Sequence, residues 1–144
     1  MRVALYERVS TTDQTCLNQE IELIAYCNRL SYQIVGIYKD EGISGSKISR
    51  PQLNKMLNDM RRKCFDAIVV WKFDRLGRST SHLLQVLDEM NGLNVRLIAT
   101  SQSIDTDTPM GKFFFTILSS FAEMEREIIR ERIKLGLERT KIQG

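Results

Sequence analysis

Four short runs of β-forming residues alternate with stretches of helical periodicity, and this alternation narrows the possible folds more than any other feature. Val3 to Val9 is the first run, and it stops at Ser10-Thr11-Thr12-Asp13, a helix-entry signal. Leu17, Ile21, Ile24 and Cys27 then recur at helical spacing, and Ile34 to Tyr38 reads as a second strand ending at Asp40. Glu41 to Arg50 carries two glycines and three serines, the composition of a mobile loop, and Pro51 suits the first turn of a helix with Leu53, Met56, Leu57 and Met60 on its apolar face. Ala67 to Trp71 is a continuous apolar run, as in a strand covered on both sides, followed by a turn at Asp74-Arg75-Leu76-Gly77-Arg78. Ser79 to Asn91 is a further helix, with Leu83, Leu84, Leu87 and Met90 inward and Gly92 as its stop, and Val95 to Ala99 is a fourth strand. The order predicts an α/β fold, a mostly parallel sheet of about four to five strands with helices on both faces. Sites of such sheets lie at the carboxyl ends of the strands, which puts Ser10, Asp40 and Asp74-Arg75 on one edge.

The last element is longer. From Met110 to Thr140 there is no proline, and Phe114, Ile117, Phe121, Met124, Ile128 and Ile133 form an apolar stripe. Thirty helical residues measure ~45 Å, whereas a compact domain of this length has a radius of gyration of only ~14–15 Å. Residues 1–109 are therefore expected to form an α/β core, and 110–144 a helix of the same domain that projects and needs a partner, with a dimer interface in its first half. The alternative is a helix packed on the sheet and broken near Gly136.

Charge supports that division. The formal net charge is +3, yet residues 1–129 balance 16 basic against 16 acidic residues, so the excess sits in Arg130, Arg132, Lys134, Arg139 and Lys141. Cys16, Cys27 and Cys64 are an odd number without CxxC spacing, which suggests neither a disulfide framework nor a zinc site. No segment reaches the ~18 apolar residues of a membrane span. A cytoplasmic protein is expected.

Ser10 is a weak nucleophile unless its proton is handled, and the usual handler, histidine, occurs once, as His82 among helical leucines. A Ser-His-Asp hydrolase is disfavoured. Arginines surround Ser10 instead: Arg8 leaves the same strand face, Arg50 follows the loop, and Arg75 and Arg78 follow the third strand. Such a cluster suits a phosphoryl group, whose transition state gathers negative charge. Asp74 adjoins it as an orienter of arginines or a proton shuttle. Phosphate-loop and dinucleotide motifs are absent, and Asp40, Asp74 and the Asp105/Asp107 pair are the only carboxylates available to a metal. No metal is expected.

Tyr6-Glu7-Arg8-Val9-Ser10-Thr11, Gln14 and Gln19, Asp40 to Gly45 with Arg50, Phe73 to Arg78, Met110-Gly111-Lys112 and Glu125 to Arg132 together resemble the serine recombinases of the resolvase/invertase family. The resemblance runs in order through nearly the whole chain. It implies a catalytic domain that cuts both strands of DNA, exchanges them within a synaptic tetramer built from dimers, and rejoins them. Ser10 would form a 5′-phosphoserine linkage, and Arg8, Arg75 and Arg78 would contact the scissile phosphate. Asp74 would order them, and Arg50, Gln14 and Gln19 would complete the site. Arg126 and Arg132 would lie on the long helix near the DNA backbone and the dimer interface. No metal or nucleotide cofactor is implied, because the phosphoserine ester conserves the energy of the phosphodiester.

Two departures accompany the resemblance. Glu7 stands where small residues are frequent in the family, and by alternation it faces away from Arg8 and Ser10. The chain also reaches Gly144 without a helix-turn-helix or zinc ribbon, so a C-terminal DNA-binding domain is expected to be absent from it, leaving weak, salt-sensitive DNA binding of little sequence preference. The competing reading is a non-catalytic α/β regulatory or dimerisation module of response-regulator type, which needs Asp40 and Asp74 to hold Mg²⁺ at the sheet edge.

Overall fold

The structure, a computed structural model, describes residues 1–9, 15–41, 50–76 and 80–143. Strand β1 (Arg2–Val9) is followed by α1 (Thr15–Arg29), β2 (Gln33–Glu41), α2 (Pro51–Arg61), β3 (Ala67–Val70), a 3₁₀ turn (Phe73–Leu76) and α3 (Thr80–Gly92). Then come β4 (Arg96–Ala99), a second 3₁₀ turn (Thr100–Gln102), β5 (Ile104–Asp105) and α4 (Pro109–Gln143). The sheet order is β2-β1-β3-β4-β5, parallel throughout except for β5, a two-residue strand antiparallel to β4. The expected α/β architecture is the observed one.

Alternation along β1 divides the core. Ala4 and Tyr6 face a layer built from α2, α3 and the start of α4, with Leu53, Met56, Met60, Leu83, Leu87 and Met90. Val3 and Leu5 face α1, against Leu23 and Cys27. The stripe read on α1 is corrected here: Leu17 and Ile21 are 65% and 58% exposed, whereas Gln19, Leu23 and Cys27 are buried. The helix lies on the sheet along its i, i+4 row, so the polar Gln19 heads the buried seam. Burial pushes the Cys27 thiol up to about 11, which leaves it a core residue rather than a reactive one.

Each helix that returns to the sheet stops in the same way. Ser31, Lys63 and Asn94 take left-handed backbone with φ of 59°, 56° and 56°. The following amides reach back five residues, Tyr32 N–H to the Cys27 carbonyl, Cys64 to Asp59 and Val95 to Met90. These are Schellman-type closures without glycine. Gly92, expected to end α3, is its last residue, and Asn94 beyond it makes the left-handed turn.

Helix α4 runs unbroken through Gly136 and, at 35 residues, is ~52 Å long. Pro109 occupies its first turn, and the Thr108 hydroxyl accepts the Gly111 N–H as a cap. Gly111, Phe115, Leu118 and Ala122 form its inward row. Beyond Ala122 no described residue of the helix is buried, so the remaining stretch to Gln143, nearly six turns, runs clear of the core. Phe114, read as part of the outward stripe, instead packs edge-to-face on Phe73 at 5.1 Å; Ile117, Phe121, Met124, Ile128 and Ile133 are exposed as expected. Among the described residues no helix is long and apolar enough to cross a membrane.

Candidate active site

The carboxyl end of β1 and β2 is where the polar residues of this sheet turn inward. Arg8 pairs in register with Asp40, and Tyr6 with Tyr38, so Tyr6, Arg8 and Asp40 share the face toward α2. Asp40, expected just past its strand, is the eighth residue of it, because β2 continues to Glu41. It is 4% exposed and accepts three hydrogen bonds: from the Tyr6 hydroxyl at 2.8 Å, and from the Gln52 and Leu53 amides at 2.9 Å each. A carboxylate on two first-turn amides satisfies donors that the helix cannot and complements its dipole. Asp40 therefore anchors α2 to the sheet; it is not a surface ligand awaiting a cation.

Arg50, at the N-cap of α2, is 4% exposed. Its charge and that of Arg8 both reach Tyr6. Burial, then the bond to Asp40 and its charge, hold the Tyr6 hydroxyl far above the ordinary tyrosine range, and Arg50 and Arg8 pull against them. Two cations from distant parts of the sequence thus act on one buried Tyr6–Asp40 pair, Arg8 from the end of β1 and Arg50 from the N-cap of α2. Tyr6 received no role from the sequence. The signal that finds it is its position two residues before Arg8, on the same strand face.

The third strand supplies the neighbouring turn. Val70 ends β3, and Phe73–Leu76 carries Asp74 and Arg75 at the expected edge. This turn is held on three sides: the Phe73 N–H donates to Gln102 Oε1 at 3.0 Å, Phe73 packs on Phe114, and Leu76 is fully buried. The backbone alone places Asp74 and Arg75, while Ser10, Gln14, Arg78 and the loop expected at residues 42–49 lie outside the described residues. Gln19 is buried under α1, on the opposite sheet face from Arg8. Arg126 and Arg132 are on the exposed part of α4; Arg126 Nε donates to the Ala122 carbonyl at 3.4 Å, and no hydrogen bond or ion pair among the described residues joins either arginine to the Tyr6–Asp40 cluster. Asp105 is an ion-pair partner of Arg96, and its Oδ1 also accepts the Asp107 N–H at 3.0 Å. Burial raises the Asp105 carboxyl, but these bonds outweigh it and keep the group below the usual carboxylate range.

Chemically, the edge offers fixed cationic donors at the end of the strand that leads into a serine. That combination suits an anion with charge on several oxygens. Residues 3–144 match the model of the resolvase N-terminal domain. The chain is 38% identical over 139 residues to the Tn917 transposon resolvase of Enterococcus faecalis, covering 96% of this chain and 71% of that protein. It is 41% identical over 140 residues to the DNA-invertase of Escherichia phage P1, covering 96% and 70%. Among solved structures it is similar to the N-terminal catalytic domain of TP901-1 integrase, with a TM-score of 0.78 and 38% identity over 89% of this chain and 98% of that one.

Proposed function

The chain belongs to the resolvase family of serine recombinases, as a catalytic domain of site-specific recombinase type, and on that premise we propose that it cuts and rejoins DNA through Ser10. In this reading the Ser10 Oγ attacks a phosphodiester, an Oγ–P bond forms, and the P–O3′ bond breaks to release a 3′-hydroxyl. After strand exchange the 3′-hydroxyl attacks the phosphoserine and the serine leaves. No bond energy is lost between the two steps, so the reaction needs no nucleotide.

The observation that carries the proposal is the placement of Arg8 beside Asp40 at the end of β1, with the buried Arg50 at the N-cap of α2, the helix whose first amides Asp40 holds. The transition state concentrates negative charge on the equatorial oxygens, and donors already held in place gain most there. Arg75 and Arg78 would add to the same charge from the turn after β3, with Asp74 orienting them, and Gln14 and Gln19 would support the strand-end segment. Helix α4 would pair with a second copy through Phe121 and Ile128, two dimers forming the synaptic tetramer, and Arg126, Arg132 and the basic end would follow the phosphate backbone. Its place of action would be the bacterial cytoplasm, at the nucleoid.

Covalent trapping tests the nucleophile. A recombinase containing this domain, given DNA with a cleavable site, should yield a protein–DNA adduct at Ser10, and Ser10→Ala should yield none. An adduct with the alanine variant would remove Ser10 from its role.

A further inference from the structure

Glu7 is 2% exposed, and neither of its carboxylate oxygens has a hydrogen-bond partner among the described residues. It stands beside Lys39 in the register of β1 and β2, on the sheet face that α1 covers. The Lys39 ammonium, however, reaches across to α1 and lies 2.8 Å from Glu20 Oε1 and 2.9 Å from Oε2. Two carboxyl groups therefore flank one cation, and it is committed to the more exposed of them. Glu20 on α1 and Lys39 on β2 are the charged groups whose fields reach Glu7. Gln19, the polar head of the α1 seam, is neutral, Glu41 at the next same-face position of β2 is exposed, and β3 contributes only Ala67 to Val70.

We propose that Glu7 is a proton-controlled competitor for Lys39: protonated, it leaves Lys39 to pin α1 through Glu20, and ionised, it draws Lys39 to itself and releases the N-terminal half of α1. The ion pair it must displace is weak, because the Lys39 side chain is 44% exposed and solvent screens its attraction to Glu20. A buried carboxylate without a donor is by contrast expensive. Competition therefore goes to Glu7 once its proton is lost to solvent. Burial, reinforced by Glu20 and opposed by Lys39, pushes the Glu7 carboxyl up to about 7, which places the exchange near neutrality. The released segment carries Gln19 and follows directly on the residues that include Ser10, although the device does not depend on Ser10 being a nucleophile.

Amide hydrogen exchange in the Gln19–Leu23 segment reads the release. If the group has its ordinary value of 4.5 when α1 is released and about 7 when it is pinned, proton linkage raises the released population about tenfold between pH 6 and pH 8. After correction for the intrinsic pH dependence of exchange, that tenfold rise is expected in the unaltered chain and should vanish in Glu7→Gln, with these amides protected at both pH values. Lys39→Met should raise their exchange at pH 6 by up to about fivefold, no more than a screened ion pair holds. A tenfold rise that persists in Glu7→Gln, or no rise in the unaltered chain, would overturn the proposal.

Discussion

Gly111→Ala is expected to destabilise the fold although it replaces glycine by the best helix former. An added Cβ would lie 1.8 Å from the Asp105 carbonyl oxygen, 2.5 Å from its carbon and 2.9 Å from Thr106 Cα, all backbone atoms. That backbone cannot retreat cheaply. Asp105 pairs with Ile98 and is bridged to Arg96, the Thr106 N–H donates to the Leu97 carbonyl at 3.0 Å, and Thr106 Oγ1 accepts the Leu97 N–H at 2.9 Å. Helix α4 must lift instead, by roughly 1.5 Å to restore van der Waals contact, and this loosens Phe115, Leu118 and Ala122. Overpacking of this kind costs about 3 kcal/mol, against about 1 kcal/mol gained in helix propensity. The net loss of about 2 kcal/mol should lower Tm by roughly 7 °C in a domain of this size. Gly136→Ala is the matched control, because nothing lies within 4 Å of its added Cβ. There the same change should strengthen the helix by up to about 1 kcal/mol, visible as greater ellipticity at 222 nm rather than a higher Tm, since that part of α4 is not tied to the core. Circular dichroism melts of the three chains decide it, and a Gly111→Ala protein that melts at or above the original would refute the packing argument.

Asp40→Ala should cost about 3 kcal/mol in a denaturant titration, from the lost helix cap and a buried, unsatisfied Tyr6 hydroxyl; Tyr6→Phe, which leaves the cap in place, should cost only about 1 kcal/mol. Arg8→Ala, introduced into a recombinase carrying this domain, should slow DNA cleavage by about 10²–10³ while its melt stays within a few degrees; an unchanged rate would exclude the arginine from the transition state. Charge inserted into the exposed stripe, Phe121→Lys with Ile128→Glu, should shift sedimentation from dimer to monomer. Lys63→Gly should raise stability by up to about 1 kcal/mol, since Lys63 occupies left-handed backbone after α2; a loss would mean that its side-chain packing outweighs the backbone cost.

Local periodicity made the alternation of strands and helices legible, because apolar residues must face one layer or the other. The length of α4 was legible too, since no proline interrupts it and its stripe persists. Arg8, Asp40, Asp74 and Arg75 could likewise be placed on one edge from topology alone, because parallel strands end on the same side. What tertiary contact decided was which polar groups were spent on the fold. Asp40 looks in sequence like an edge carboxylate and proves to be the cap of α2, because the first-turn amides of a helix far along the chain come to rest against it. Tyr6 is a strand residue until Asp40 accepts its hydroxyl and the charges of two arginines reach it. Gly111 is a poor helix former inside α4 and is required by the backbone of Asp105 and Thr106, at the end of β5, a two-residue strand too short to announce itself. Glu7 breaks the local pattern, and only the neighbouring Lys39–Glu20 pair gives that break a consequence. Sequence alone determined the longer elements, since these follow from short-range order; partners far apart in the chain decided what buried polar groups such as Asp40 and Tyr6 do, since burial makes an unpaired polar group costly.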